Sequence, residues 1–196
     1  MSKNTKVNAA ILIIGNEILS GRTQDTNTST LAVWLNSNGV QVNEVRVIPD
    51  KKKIIIETLN VLRKNNDYVF TTGGIGPTHD DITAESVSEA FGLKYEIHPE
   101  AFKILESYYK LGEFNEGRQK MAWMPHNAKL ILNPTSGAPG FSIENVFCLP
   151  GVPSILKSML GSLKQNIIGG DPILSHTISL RTVESEIANS LSKVQD

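Results

Sequence analysis

Short apolar runs alternate with amphipathic stretches along most of this chain, and that alternation leaves few folds open. Ala9–Ile14 contains no polar residue. A strand of that kind has no face to offer water, so it must be covered on both sides, as in a parallel sheet between helical layers. Asp25-Thr26-Asn27 then offers helix N-caps to a stretch carrying Leu31, Val33, Trp34 and Leu35, which Gly39 stops. Val40–Ile48 alternates like a second strand. Lys51–Lys64 carries Ile55, Leu59 and Leu62 at helical spacing, and Tyr68-Val69-Phe70 is a third strand.

Further along, helices are expected over Thr83–Phe91, ended by Gly92, over Pro99–Leu111 and, shorter, around Arg118–Trp123. Lys129–Leu132 and Val146–Leu149 read as strands separated by the loop Asn133–Gly140. Pro153–Ile167 is a closing helix with Ile155, Leu156, Met159, Leu160 and Leu163 on one face. After the turn-rich Gly169-Gly170-Asp171-Pro172 come a strand, Ile173–Leu180, and a helix, Val183–Val194. The fold expected is a three-layer α/β/α sandwich with a mainly parallel sheet over residues 1–168. A short α+β strand–helix extension follows over residues 169–196.

Bulk properties narrow the function. The 196 residues are 40% hydrophobic, enough for a core without staples. Nineteen basic against 20 acidic residues give a net charge of -1, which argues against a general nucleic-acid binder, because phosphate-backbone affinity needs a basic surplus. Cys148 is the single cysteine, so an internal disulfide and a cysteine-rich zinc site are excluded; inside Val146–Leu149 it reads as core filler. The run Val7–Ile14 is too short to span a bilayer and no targeting segment is visible. A cytoplasmic protein without a membrane partner is expected.

Ligands of open α/β sheets sit outside the carboxyl ends of the strands, and four unusual loops follow candidate strands here. The most telling is Thr71–Thr83, with Gly73, Gly74 and Gly76 directly after the third strand. Glycines there let the backbone approach a ligand and turn its N–H groups toward an anion, and the next helix adds its N-terminus. Position 79 is His where a dinucleotide fingerprint needs Gly, and no Gly-Lys-Ser/Thr closes a P-loop. Asp80 and Asp81 therefore stand where phosphates are expected, which makes sense if a divalent metal accompanies them; either could instead cap the next helix. Asp50 could cap the Lys51–Lys64 helix or reach the same crevice. Glu17, in Gly15-Asn16-Glu17, could be a metal or ribose ligand or a surface acid. Asn133–Gly140 and Leu149–Pro153 are shaped Pro/Gly loops. Of the histidines, His79 is a functional candidate by position, while His98, His126 and His176 read as structural, and no nucleophilic triad can be assembled.

Thr72-Gly73-Gly74-Ile75-Gly76 followed by Asp81-Ile82-Thr83 resembles the signature of the molybdenum-cofactor biosynthesis domain family, whose members include MogA, MoaB, gephyrin and the N-terminal domain of CinA. Gly15–Gly21, Asp25-Thr26-Asn27, Asn133–Gly140 and Leu149–Pro153 are similar to the CinA branch. Gly74–Asp81 also resembles the molybdopterin-binding half of eukaryotic FAD synthases. The likeness covers about residues 7 to 168. It implies a metal-binding and catalytic pair in Asp50 and Asp81, a phosphate loop in Thr72, Gly73, Gly74 and Gly76, a second ligand loop at Ser136 and Gly137, and a third at Pro150 and Gly151. Glu17 and Asp80 are secondary metal candidates.

The same resemblance implies a small-molecule nucleotide or pterin ligand, a divalent metal (Mg, Mn or Co) and chemistry at a phosphoanhydride. The activities it offers are pyrophosphatase action on ADP-ribose- or FAD-like dinucleotides, adenylylation of molybdopterin, or binding without turnover. The chain departs from the CinA pattern at Ser154-Ile155, where a Glu is usual, and the deamidase domain that follows in CinA would not fit after Gly170. A homo-oligomer, dimer or trimer, is also implied. The aromatic helix Pro99–Leu111, with Phe102, Leu105, Tyr108 and Tyr109, offers a surface for it.

Overall fold

The computed structural model describes residues 6–172, 177 and 179–195. Its first half runs β1 (Val7–Ile14), α1 (Asn16–Leu19), α2 (Asn27–Ser37), β2 (Val40–Ile48), α3 (Lys52–Asn65), β3 (Tyr68–Thr72) and α4 (Thr83–Ala90). There follow β4 (Tyr95–Ile97), α5 (Pro99–Tyr108), α6 (Glu116–Lys120), β5 (Trp123–Pro125), β6 (Lys129–Ile131), β7 (Gly140–Ile143), β8 (Val146–Leu149), α7 (Pro153–Leu163) and α8 (Glu184–Gln195).

Six strands form the central sheet in the order β2-β1-β3-β8-β7-β6. β2, β1, β3 and β8 are mutually parallel, β7 runs against them, and β6 pairs antiparallel with β7 and so points the same way as the first four. The period-two side-chain alternation of β1 explains the two covering layers. Ala10, Leu12 and Ile14 enter a core with Ile55, Leu59 and Leu62 of α3, Val87 of α4 and Leu105 of α5. Ala9, Ile11 and Ile13 enter the opposite core with Leu31 and Leu35 of α2 and Leu156, Met159 and Leu160 of α7. In this second core Phe70 stacks on its cross-strand neighbour Phe147 with centroids 5.0 Å apart. The expected three-layer α/β/α sandwich is the observed one.

Several boundaries differ for local reasons. The helix expected around Arg118–Trp123 stops at Lys120, and Trp123 begins a strand that pairs with β4. Ala122 and Met124 are buried while Trp123 between them is partly exposed, which is a strand's period rather than a helix's. β4 and β7, unforeseen, are only three and four residues long. Gly140 opens β7 because a Cβ there would lie 2.5 Å from the Cys148 carbonyl oxygen of the adjacent strand. The Pro99–Leu111 helix ends at Tyr108, and the closing helix at Leu163 with a 3-10 turn over Lys164–Asn166. The strand expected over Ile173–Leu180 lies largely outside the described residues, as does His176, whereas the last helix is present as α8.

The aromatic helix does not present the surface expected of it. Phe102 packs on Phe114 at 5.0 Å, and Tyr109 stacks on Phe114 under the Arg118 guanidinium. Tyr108 meets Tyr109 edge-on and lies over Gly137. Phe102 and Tyr109 are thereby occupied within the chain, whereas Tyr108 stays about half exposed.

Candidate active site at the carboxyl edge of the sheet

Because β1, β2, β3, β8 and β6 share one direction, the segments that follow them emerge at one edge. There the Gly15–Glu17 turn, Pro49-Asp50, the glycine loop, Pro150–Pro153 and the Asn133–Pro139 loop meet. All but Pro49-Asp50 contribute to the walls of an open cleft of about 520 Å³ lined by Glu17, Gly73, Gly74, Gly76, Asp81, Ser136, Pro150 and Gly151, together with Thr23, Met121 and Asn133. No Lys, Arg or His of the described residues lines it.

The glycine loop is held so tightly that two of its positions admit no side chain. Gly73 has φ +98°, and a Cβ on it would lie 2.2 Å from the Ile14 carbonyl oxygen of β1. Gly74, at φ +69°, would press a Cβ to 2.1 Å from Thr83 Oγ1. Buried Thr83 needs that closeness, because its hydroxyl donates to Gly73 O (3.0 Å) and its N–H to Gly74 O (2.9 Å). Among the described residues the N–H groups of Gly74, Ile75 and Gly76 have no acceptor, so they remain free for an anion.

Asp81 closes the loop. Its Oδ2 accepts from the Thr78 N–H at 2.8 Å and from the Thr78 hydroxyl at 2.6 Å, and the carboxylate lies against Gly76. The helix N-cap position is Ile82, with no side-chain cap, so neither aspartate caps α4. Asp80 points outward, fully exposed. The same Thr78 hydroxyl, 2.6 Å away, is the main influence holding its carboxyl below the usual range.

Asp50 does not line the cleft itself. It sits beside it at the end of β2, accepting from the Asn16 N–H at 2.8 Å. Lys51 rather than Asp50 occupies the N-cap position of α3, so the capping reading of Asp50 falls away. Burial raises its pKa above the ordinary 3.8. The Asn16 hydrogen bond opposes that rise, and the charges of Glu17 and Asp80 add to it. Glu17 is exposed on α1, with its carboxylate folded over Gly15.

The remaining loops are organised by asparagines. Asn133 Oδ1 accepts from the N–H groups of Thr135 and Ser136, and its Nδ2 donates to Ser136 Oγ (2.7 Å) and Ala138 O (2.9 Å). Ser136 thereby faces the cleft, while Gly137, at φ +73°, lies under the Tyr108 ring rather than in the lining. Thr72 is buried in β3 and borders a smaller adjoining recess. Two participants went unread in the sequence. Lys120 of α6 donates to the Thr78 carbonyl and lines a recess beside Gly74, Gly76 and Asp81. Asn27 donates from Nδ2 to Gly151 O at 2.8 Å. A lysine in a short polar helix carries no local signal, and Asn27 looks like a cap.

His98 accepts from the Ala101 N–H as the cap of α5, and His126 lies 2.6 Å from Glu96. His79 is almost fully exposed, 4.0 Å from Asp80.

Residues 10–170 match the family described as "probable molybdopterin binding domain". The chain belongs to this family. A protein of Archaeoglobus fulgidus is 33% identical over 94% of this chain and 79% of its own length. A CinA-like protein of Citrifermentans bemidjiense is 38% identical over 77% of this chain, which spans only 38% of that protein. Among solved structures, CinA of Thermoplasma acidophilum, a protein of unknown function, superposes with a TM-score of 0.78 at 33% identity, covering 83% of this chain and 99% of that one. MoaB of Thermus thermophilus shares the fold at a TM-score of 0.53 and 19% identity, covering 80% and 89%. The chain is thus a CinA-like member of the molybdopterin-binding domain family. No helix among the described residues is long and apolar enough to cross a membrane.

Proposed function

We propose that the protein is a divalent-metal-dependent pyrophosphatase that cleaves the phosphoanhydride of ADP-ribose- or FAD-like dinucleotides. The composition of the cleft carries this reading: among the described residues, loop amides without an acceptor and suited to phosphate stand beside the carboxylates of Glu17 and Asp81, with no basic side chain in the lining. Phosphate next to carboxylate is unfavourable unless a cation neutralises both. Oxygen donors suit Mg, Mn or Co. Asp81 and Asp50 would hold the ion, with Glu17 and Asp80 in reserve. Among the described residues no group of three or more acidic, His or Cys side chains forms a ready-made cage. That fits a magnesium-like ion, which keeps waters and completes its shell with substrate phosphates.

When bound, such an ion supplies charge neutralisation and polarisation of a phosphoryl oxygen. The chain's own part is positional. Amides of Gly74–Gly76 orient the phosphates, Thr78 fixes the Asp81 carboxylate, and the Asn133-braced loop with Ser136 closes the far side. Water then adds across the P–O–P bridge, giving two monophosphates.

The test is a panel of ADP-ribose, FAD, NAD, and molybdopterin plus ATP, each with magnesium, manganese or cobalt and assayed for product. Monophosphate release from a dinucleotide supports the proposal. The family description favours molybdopterin binding as a second reading, to which the resemblance adds adenylylation, and adenylylated product only in the ATP arm would establish it. Binding without product in every arm would leave a non-catalytic nucleotide or pterin module. A cytoplasmic homo-oligomer, dimer or trimer, is proposed on the family resemblance alone, and light scattering giving a monomer mass would refute it.

A further inference from the structure

The central sheet ends in two edges that are built differently. β6, on one side, is three residues long and opens with Lys129. Shortness and lysine both guard an edge against pairing with another chain. β2, on the other side, runs for nine residues, Val40–Ile48, with neither proline nor lysine. Its one irregularity is the bulge that slips the register between Val42 and Glu44. From Glu44 to Ile48 it pairs with β1 residue for residue, and among the described residues nothing hydrogen-bonds to its outer side.

Which groups face outward follows from the ladder. The Gly15 N–H donates to the Ile48 carbonyl at 3.2 Å, so Ile48 turns its backbone groups toward β1. Alternation along the strand then turns the N–H and C=O of Val45 and Val47 away from β1. The side chains divide by face. Val45 and Val47 stand opposite Ile11 and Ile13, on the α2 side of the sheet, and remain 42% and 38% exposed. Glu44 and Arg46 stand opposite Ala10 and Leu12, on the α3 side, where they form a partly exposed ion pair at 2.9 Å.

That pattern is complementary to itself. When two copies pair antiparallel about a two-fold axis at Val45, each Glu44 lies opposite the partner's Arg46, and Val45 opposite the partner's Val45. Val45, with its outward N–H and C=O, then makes a hydrogen-bonded pair. The Glu44–Arg46 pairs fall at the non-hydrogen-bonded positions, where facing side chains come closest. Moving the axis by one residue sets Glu44 against the partner's Glu44, or Arg46 against the partner's Arg46, and like charges directly opposite are destabilising. We propose that the β2 edge is a dimer interface, in which two copies of this chain join their sheets about Val45 with reciprocal Glu44–Arg46 ion pairs. A second copy is the occupant that the sequence itself supplies, because Glu44-Val45-Arg46 read backwards is its own complement. This inference is independent of what the cleft binds.

The experiment is sedimentation equilibrium of the full chain over a range of concentrations, on wild type, Glu44→Arg, Arg46→Glu and an equimolar mixture of the two variants, with a thermal melt of each. Wild type should be a dimer. Each variant alone sets like charges against each other at both pairs and should dimerise about tenfold more weakly or worse. The mixture should recover wild-type affinity as a heterodimer, since one copy then carries two glutamates and the other two arginines. Should a variant fail to fold, amide hydrogen exchange of wild type decides, because the Val45 and Val47 N–H groups should exchange more slowly as the dimer forms. Wild type that stays a monomer would overturn the inference and leave the edge to solvent or to another extended segment; a trimer would overturn it too. So would a dimer that both folded variants keep at wild-type affinity, a mixture that recovers nothing, or Val45 and Val47 amides that exchange freely in the dimer. A monomer would also remove the oligomer implied by the family, whereas a dimer indifferent to these charges would remove only the β2 edge.

Discussion

Replacing Asp81 by asparagine separates chemistry from architecture at the centre of the site. In the folded chain its Oδ2 accepts two hydrogen bonds from Thr78, at 2.8 and 2.6 Å. Asparagine presents an oxygen of the same reach, so both bonds persist in neutral form. Charged acceptors are worth more than neutral ones, but this side chain is half-exposed and screened, so a loss of about 1 kcal/mol is expected. For a chain of this size that is a fall of about 2–4 °C in Tm. The effect on turnover is of another order. On the proposed metal-dependent reading, the cleft without that charge could no longer balance a divalent cation against phosphate, and removing a preorganised electrostatic contact of this kind costs about a hundredfold or more in kcat. Asp80→Asn is the control. Asp80 shares the single Thr78 hydroxyl proton, and losing its charge lets that proton turn to Asp81. Its turnover should stay within about threefold of wild type, since it is an exposed charge outside the cleft lining. The assay is initial rate on the best dinucleotide of the panel, with a thermal melt of each variant. Wild-type turnover in Asp81→Asn would refute the catalytic reasoning. A collapse in Tm without selective loss of rate would make the residue a structural one.

Three further outcomes follow from the same geometry. Gly73→Ala should cost on the order of 4 kcal/mol or more by denaturant titration, since φ is +98° and the new Cβ meets a β1 carbonyl at 2.2 Å; Gly151→Ala, whose Cβ finds its first neighbour at 3.4 Å, should fold like wild type. Asp50 has a folded-state pKa raised above 3.8, so the native chain binds that proton more tightly than the unfolded chain, and ionising Asp50 lowers stability. That penalty is absent below the unfolded pKa and complete above the folded one. Asp50→Asn should therefore be the more stable protein at neutral pH in chelator, with the gain fading as pH falls toward 3.8; no gain at neutral pH would contradict the burial argument. Cys148 is fully buried and its pKa is pushed up to about 12 by burial, so a thiol reagent at pH 8 should modify it only after denaturation.

The legible parts of the fold are those where one physical constraint dominates over six or more residues. Ala9–Ile14 of β1 has no polar residue to place toward water, so its burial on both faces was forced, and α3 carries Ile55, Leu59 and Leu62 where a helix puts them on one side. The strands that escaped reading, β4, β5 and β7, span three or four residues, too few to show a period. β5 was mistaken for helix because the helix-forming Arg118–Lys120 runs straight into it. What made it a strand is tertiary: Met124 had to be buried and Glu96 was there to pair with it. The aromatic helix misled in the opposite sense. Phe102 and Tyr109 looked unpartnered because their partner, Phe114, lies beyond the helix end on a return loop that no periodicity announces.

At the site, local motifs read well and cross-chain ones did not. The glycine loop announces itself because positive φ and close backbone approach leave few substitutes for glycine. Asp25-Thr26-Asn27 shows the limit. All three residues are candidate caps for α2, and nothing local says which one serves. In the folded chain Asp25 takes the N–H groups of Asn27 and Thr28, although it stands outside the helix. Once Asp25 does that work, the Asn27 side chain is released from the helix end and crosses to Gly151, a residue 124 positions away in sequence. The same division leaves Asn27 Oδ1 buried and, among the described residues, without a donor. An asparagine that were only a cap would have spent its oxygen on the helix; this one spends its amide on tying the start of α2 to the loop after β8.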